Sequence, residues 1–181
     1  MATLKTCKKI SEEVNMKKNT KTLVIAALLA ALVCVATMVV KIPSPLKGYI
    51  NLGDCMVLLS GWILPPVFSF LAAGVGSALA DVFSGYFVYA PVTFAVKGLV
   101  ALTAYFLYKK LANKTKDELA LIIAGVVGEA VMVAGYYIFE GFMYGFAASV
   151  VNILPNVLQG VAGIVLGVIL IKIFRKTKIS V

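Results

Sequence analysis

Leu23 to Val40 reads LVIAALLAALVCVATMVV. These 18 residues contain no charge, glycine or proline. At about 1.5 Å per residue they form one unbroken helix of about 27 Å, close to the thickness of a bilayer core. A secretory signal also begins basic and then turns apolar, but its apolar run is shorter and ends at a small-residue cleavage site. None follows here, and the ALVC ending at Cys34 has valine where a lipoprotein signal needs a small residue. The stretch is a retained membrane span.

Five further apolar segments follow, over residues 54–64, 66–83, 92–111, 119–140 and 153–174, after the first at 23–40. The second is short for a full span. Of the 181 residues, 61% are hydrophobic and 14% charged, and the mean hydropathy is +0.99. A soluble domain carries about a quarter charged residues. The fold class is therefore all-α, a six-helix membrane bundle over 23–174, with basic tails at 1–22 and 175–181.

The net charge of +9 is distributed as membrane topology requires, and not as nucleic-acid binding would require. Six lysines precede residue 22, four lie between 109 and 116, and four basic residues close the chain from Lys172 to Lys178. Six spans with a cytoplasmic N-terminus put every one of these clusters inside, as the positive-inside rule demands. The uncharged LPP turn, Leu64 to Pro66, then also lies inside, and Trp62 beside it reads as an interfacial anchor. The outside receives KIPSPLKGYINLGD, SGYFVYAP and EGFMYGFAASVVN. Those loops carry Pro43, Pro45, Gly48, Gly53, Gly85 and Pro91 together with Tyr49, Tyr86, Tyr89 and Tyr144. They form either an aromatic belt with ordinary turns or a tight cover for an aromatic ligand.

Ionisable groups within spans mark a functional site or a buried pair. Lys97 falls about 7–8 Å below the outer start of the fourth span, and Glu129 about 15 Å from either end of the fifth. Asp54 and Asp81 sit near the outer ends of the second and third. Lys97 has three outlets: snorkelling, a pair with Glu129, or a pair with an outer aspartate. In NILPNVLQG, Asn152, Asn156 and Gln159 follow i, i+4, i+7 spacing and share one helix face. Amides facing lipid would leave donors and acceptors unpaired, so they face the bundle interior, packing helices or lining an outward-opening pocket.

No GxxxxGK[ST] loop, no histidine and no HExxH is present, and three scattered cysteines make neither a metal site nor a disulfide framework. Nucleotide hydrolysis and histidine-based catalysis are excluded for this chain. It reads as a binder and carrier, not an enzyme, with no cofactor of its own.

Three stretches carry a family resemblance: AALLAAL in the first span, YINLGDCMVLLSGWIL, and GVGSALADVFSGYFVYAPVTFAVKGLVAL. The most specific parts are the NLGD entry to the second span and LADxxSGYxxYAPxTFxxKG. The chain resembles an S component of an energy-coupling factor (ECF) transporter, in the branch serving riboflavin, hydroxymethylpyrimidine or pyridoxine-type substrates. The resemblance implies a plasma-membrane subunit of a bacterial cell that captures a vitamin from outside. It implies a transmembrane coupling protein and two cytoplasmic ATPases as partners, with ATP used by them. It further implies delivery by toppling in the bilayer, and docking through Ala27 and Ala31 with Ala26 and Ala30 beside them. The candidate substrate-binding residues are Asn51, Asp54, Asp81, Tyr86, Tyr89, Lys97, Glu129, Tyr136, Asn152, Asn156 and Gln159. A small ring, pyridoxine or hydroxymethylpyrimidine, is favoured over riboflavin because few outer-loop residues are available to enclose a tricyclic flavin. The LPP turn departs from the glycine-containing turn expected there. A proton-coupled carrier working through Glu129 and a non-transporting scaffold are the competing readings.

Overall fold

The computed structural model describes residues 2–44 and 49–176, the first seventeen of them by backbone alone. Pro45 and Gly48 of the first outer loop, and residues 177–181 of the C-terminal tail, lie outside the described residues. Helix α1 runs Ala2–Val39, then strands β1 (Lys41–Pro43) and β2 (Tyr49–Asn51) follow. Helices α2 (Asp54–Ile63), α3 (Pro66–Phe83), α4 (Ala90–Leu111), α5 (Asp117–Tyr144), the four-residue α6 (Phe146–Ser149) and α7 (Ile153–Lys176) complete the chain.

Five of these helices are long and apolar enough to cross a membrane, and α2 is the short sixth. The expected six-helix architecture holds, with three differences. First, α1 begins at Ala2, so the segment read as a basic tail is helical; no glycine or proline separates it from the span that starts at Asn19. Second, the chain is not purely helical. β1 and β2 form an antiparallel hairpin in which Ile42 pairs with Ile50. Third, Asn152 lies in a 3₁₀ turn (Val150–Asn152) before α7, not on the regular helix.

The hairpin explains the short second span. Ten residues of α2 cover only about 15 Å, half a bilayer core. β2 carries the chain into the bundle before α2 begins, burying Asn51 at its end and Asp54 at the first position of the helix. At the other end, Leu64 is buried and Pro66 opens α3, where a missing N–H costs nothing. Trp62 is not interfacial: it is 6% exposed and lies over Gly167 of α7. The apolar neighbours of the LPP turn fold this end into the core.

α3 packs between α1 and α4, α4 against α5, and α2 against α4 and α7. Leu58, Val100, Ala101, Ala104 and Leu121 are fully buried where these helices meet. Gly61 is the close approach: a Cβ there would come 2.6 Å from the Ala101 carbonyl. The break between α5 and α6 falls at Gly145, whose φ of 92° suits glycine alone.

Candidate functional site

Where the hairpin, the start of α4 and the ends of α3 and α5 meet α7, polar side chains surround one cavity. The cavity measures about 510 Å³ with its open mouth counted.

The floor is a buried ionic network. Lys97 of α4 donates to Asp54 Oδ1 and, at 2.9 Å, to Met132 Sδ. Asp54 Oδ2 accepts from Gln159 Nε2 at 2.6 Å, and Gln159 Oε1 accepts the Asn51 backbone N–H at 2.8 Å. Lys97 and Asp54 side chains are 4% and 0% exposed. The ammonium also stands 5.7 Å from the centre of the Tyr136 ring, within cation–π reach. Lys97 is thus held by Asp54, not by Glu129, and it does not snorkel.

One wall is built on Asp81. Its Oδ1 accepts from the Tyr49 hydroxyl at 2.6 Å. Burial, reinforced by the Asp81 charge, pushes the Tyr49 phenol well above its usual range, so it remains a donor. Tyr86 packs tilted against Tyr49 with ring centres 4.9 Å apart, and Tyr89 meets Tyr86 edge-on at 6.4 Å. Lys41 donates to Ser84 and lies 5.5 Å over the Tyr49 ring, pinning the hairpin to the end of α3. Tyr136 donates to Thr93 at 3.1 Å. The opposite wall is built on Glu140, whose Oε1 accepts from Asn152 at 2.8 Å and from Tyr89 at 3.5 Å.

Of the candidate residues, Asn51, Asp81, Tyr86, Tyr89, Lys97, Tyr136, Asn156 and Gln159 line this cavity. Three expected residues do not. Asp54 lies beneath the floor with no exposed surface. Asn152 stands behind Glu140, turned there by the 3₁₀ backbone. Glu129 is one helical turn below Met132, under the floor, and faces an apolar groove between α5 and α7. Its two carboxyl oxygens make no hydrogen bond among the described residues.

Thr37, Ser44, Tyr49, Ser77, Thr93 and Glu140 complete the lining; of these the sequence singles out only Tyr49, as a loop tyrosine and not as a binding residue. Glu140 carried a usable signal, an acid at the outer end of the fifth span and eight residues after Met132. Tyr49 was visible among the loop tyrosines. Nothing in sequence separates the serines and threonines from ordinary helix positions.

A multi-pass helical bundle with one polar cavity at one end is built as a membrane subunit that binds a polar solute. Residues 17–176 match the family model for the ECF-type riboflavin transporter, S component, and the chain belongs to that family. It is therefore a transporter subunit, not an enzyme: S components bind vitamin-type substrates and work within an ECF transporter complex. An uncharacterized protein of Pyrococcus woesei is 36% identical over 136 residues, 75% of this chain and 88% of that protein. The thiamine precursor transporter HmpT of Lactococcus lactis subsp. cremoris (strain MG1363) is 28% identical over 172 residues, 90% of this chain and 92% of that one. Among solved structures, the S component of a bacterial ECF transporter shares the fold with a TM-score of 0.64 at 24% identity, over 88% of this chain and 96% of that chain. The S component for biotin from an ECF-type ABC transporter does so with a TM-score of 0.61 at 18% identity, over 88% and 93%.

Proposed function

We propose that this chain captures a small, hydroxylated ring compound, of the size of pyridoxine or hydroxymethylpyrimidine, in the cavity above Lys97. The observation that carries this reading is the cavity itself: three tyrosines in ring contact, three amides and a lysine around one open-mouthed space. Tyrosine faces stack on a ring, and the amide of Asn156 reads its heteroatoms. The likeness to a thiamine precursor transporter supports a single ring over a tricyclic flavin.

In this reading the cavity opens to the outside and both termini are cytoplasmic. Delivery is by toppling on a transmembrane coupling protein driven by two ATPases, which supply the ATP chemistry. Ala27 and Ala31 are exposed on α1 and provide the docking face. Ala26 is 6% exposed and Ala30 rests against Gly76, so these two serve internal packing. Proton coupling through Glu129 draws no support from a carboxyl that faces away from the cavity.

Native mass spectrometry of the purified protein tests the capture. A retained solute of pyridoxine or hydroxymethylpyrimidine mass, absent from Asn156→Ala, is expected. Retained riboflavin would replace the substrate choice, and affinity unchanged in both Asn156→Ala and Lys97→Ala would remove the cavity from the function.

A further inference from the structure

Glu140 Oε2 and Asn152 Oδ1 are buried without a hydrogen bond, but they stand at the polar cavity or directly behind it. Glu129 does not. It sits near the middle of α5, is 4% exposed, and neither of its carboxyl oxygens has a hydrogen bond among the described residues. It lies under the floor made by Met132 and the Lys97–Asp54 pair, out of reach of a solute above them. A buried polar group without a partner in the protein asks for one from outside it.

The carboxyl lies at the base of a groove between α5 and α7, about 840 Å³ with its open side counted. Gly160 leaves the room: a Cβ there would fall 2.9 Å from Glu129 Cβ and 3.3 Å from its Oε2. Apart from Glu129 and Tyr137, every lining side chain is aliphatic or absent. Val126, Val157 and Val161 form an exposed rim, which on membrane-spanning helices faces lipid. The middle of a span is about 15 Å from either headgroup layer. Neither bulk water nor a phospholipid headgroup brings a donor to that depth, and an acyl chain has none. A partner helix laid on the valine rim would be held off the recessed carboxyl, whereas a single chain enters the groove.

We infer that this groove is a second binding site, for an apolar alcohol dissolved in the bilayer. Its chain lies between α5 and α7, and its hydroxyl bonds the Glu129 carboxyl. A carboxylic acid has one O–H donor and a carbonyl acceptor, and a hydroxyl accepts from the first while donating to the second. An alcohol fits better than an amine, because an ammonium at this depth would lose its hydration. The occupant arrives through the membrane, so the site does not depend on what fills the polar cavity.

The full-length protein in phosphatidylcholine nanodiscs is tested with dicyclohexylcarbodiimide, an apolar reagent that reaches carboxylic acids from the hydrocarbon. The acid's proton passes to one carbodiimide nitrogen as its oxygen bonds the central carbon. The acyl group then shifts to nitrogen, so the whole reagent is retained and nothing leaves. Peptide mass spectrometry reads the rate at Glu129. Glu129 should be labelled, and excess farnesol should slow that labelling about tenfold, the scale of a hydrogen bond or two. Farnesene, a chain of the same length without the hydroxyl, should slow it less than about twofold. Ala134→Phe fills the groove from the lipid side, leaves the carboxyl in place, and should itself slow labelling about tenfold. If that variant misfolds, the wild-type comparison of the two compounds decides alone. Absence of labelling at Glu129 overturns the site, as does undiminished labelling of a folded Ala134→Phe. Equal protection by farnesol and farnesene overturns it too, making the groove an unselective apolar surface. Labelling that farnesol leaves unchanged, but that assembly with the other ECF subunits abolishes, would give the groove to a partner helix and overturn the alcohol site.

Discussion

The two ends of the bundle are cut from the same apolar helices but buried by different means. Toward the end with the basic loops, Leu64, Ala101, Ala104 and Leu121 have no exposure at all, and Gly61 lets α2 touch the α4 backbone. At the hairpin end, comparable burial falls on Asp54, Asp81, Lys97, Glu140, Asn152 and Gln159. Close packing holds one end, and a charged network with unfilled acceptors holds the other. Helices of nearly uniform hydropathy thus acquire a rigid base and a receptive top from a few substitutions per helix.

The comparison breaks most readily at Lys97. Lys97→Ala leaves Asp54 buried, ionisable and facing only Gln159, and should cost about 3–5 kcal/mol of stability. Thermal unfolding in detergent reads it, and the double variant Lys97→Met, Asp54→Asn should recover most of the loss. A single variant as stable as the wild type would mean that the pair does not hold the hairpin end. The packed end has its counterpart at Gly61. Gly61→Ala places a methyl against the Ala101 carbonyl and the Ala104 side chain, and should cost about 1–3 kcal/mol. Substrate affinity should not change, because the site lies at the other end. If affinity fell with stability, the two ends would have to be one cooperative unit.

Asn156 sharpens the distinction further. It lines the cavity, is half-buried and makes no hydrogen bond among those described. Asn156→Ala should therefore weaken substrate binding about tenfold, equivalent to about 1.4 kcal/mol, while unfolding shifts by less than about 0.5 kcal/mol. Calorimetry and a melting curve on one preparation separate the two numbers.

Much of this was legible from residues alone. Six apolar runs and three basic clusters placed the helices, because span length and charge position are one-dimensional properties. Lys97, Asn152 and Asn156 stood out first, with Gln159 on the same stripe, because a polar group within a span has few places to go; Asn152 nevertheless stands behind Glu140 and outside the lining. Sequence carried the depth of each polar group along its own helix, but not the level at which the cavity is floored. Glu129, Met132, Tyr136 and Glu140 lie along one stripe of α5, yet only the last two line the cavity, and Glu129 falls beneath its floor. The position of the floor depends on the hairpin lowering Asp54 into the bundle, a three-dimensional fact with no local signature. Partner choice was open for the same reason: Glu129 and the outer aspartates, Asp54 and Asp81, were all candidates for Lys97 until the register of α2 against α4 brought Asp54 to it.

The smallest effect belongs to the same chemistry at the opposite end. Arg175 pairs with Asp117 and donates to the Tyr108 hydroxyl at 2.6 Å, while Tyr108 donates to Asp117 at 2.7 Å. By bond count this triad rivals the Lys97 network. Its ionic side chains are 41% and 46% exposed, however, against 4% and 0% for Lys97 and Asp54. Water screens the attraction and re-solvates either partner when the other is removed, so Arg175→Ala should cost only about 0.2–1 kcal/mol. The remaining basic residues of both tails keep the topology. Measured beside Lys97→Ala in the same detergent, the two variants differ in burial while sharing charge type. A loss at Arg175 as large as that at Lys97 would show that the number of contacts, not desolvation, governs both pairs. The account of the hairpin end as a site held by buried charge would then have to be abandoned.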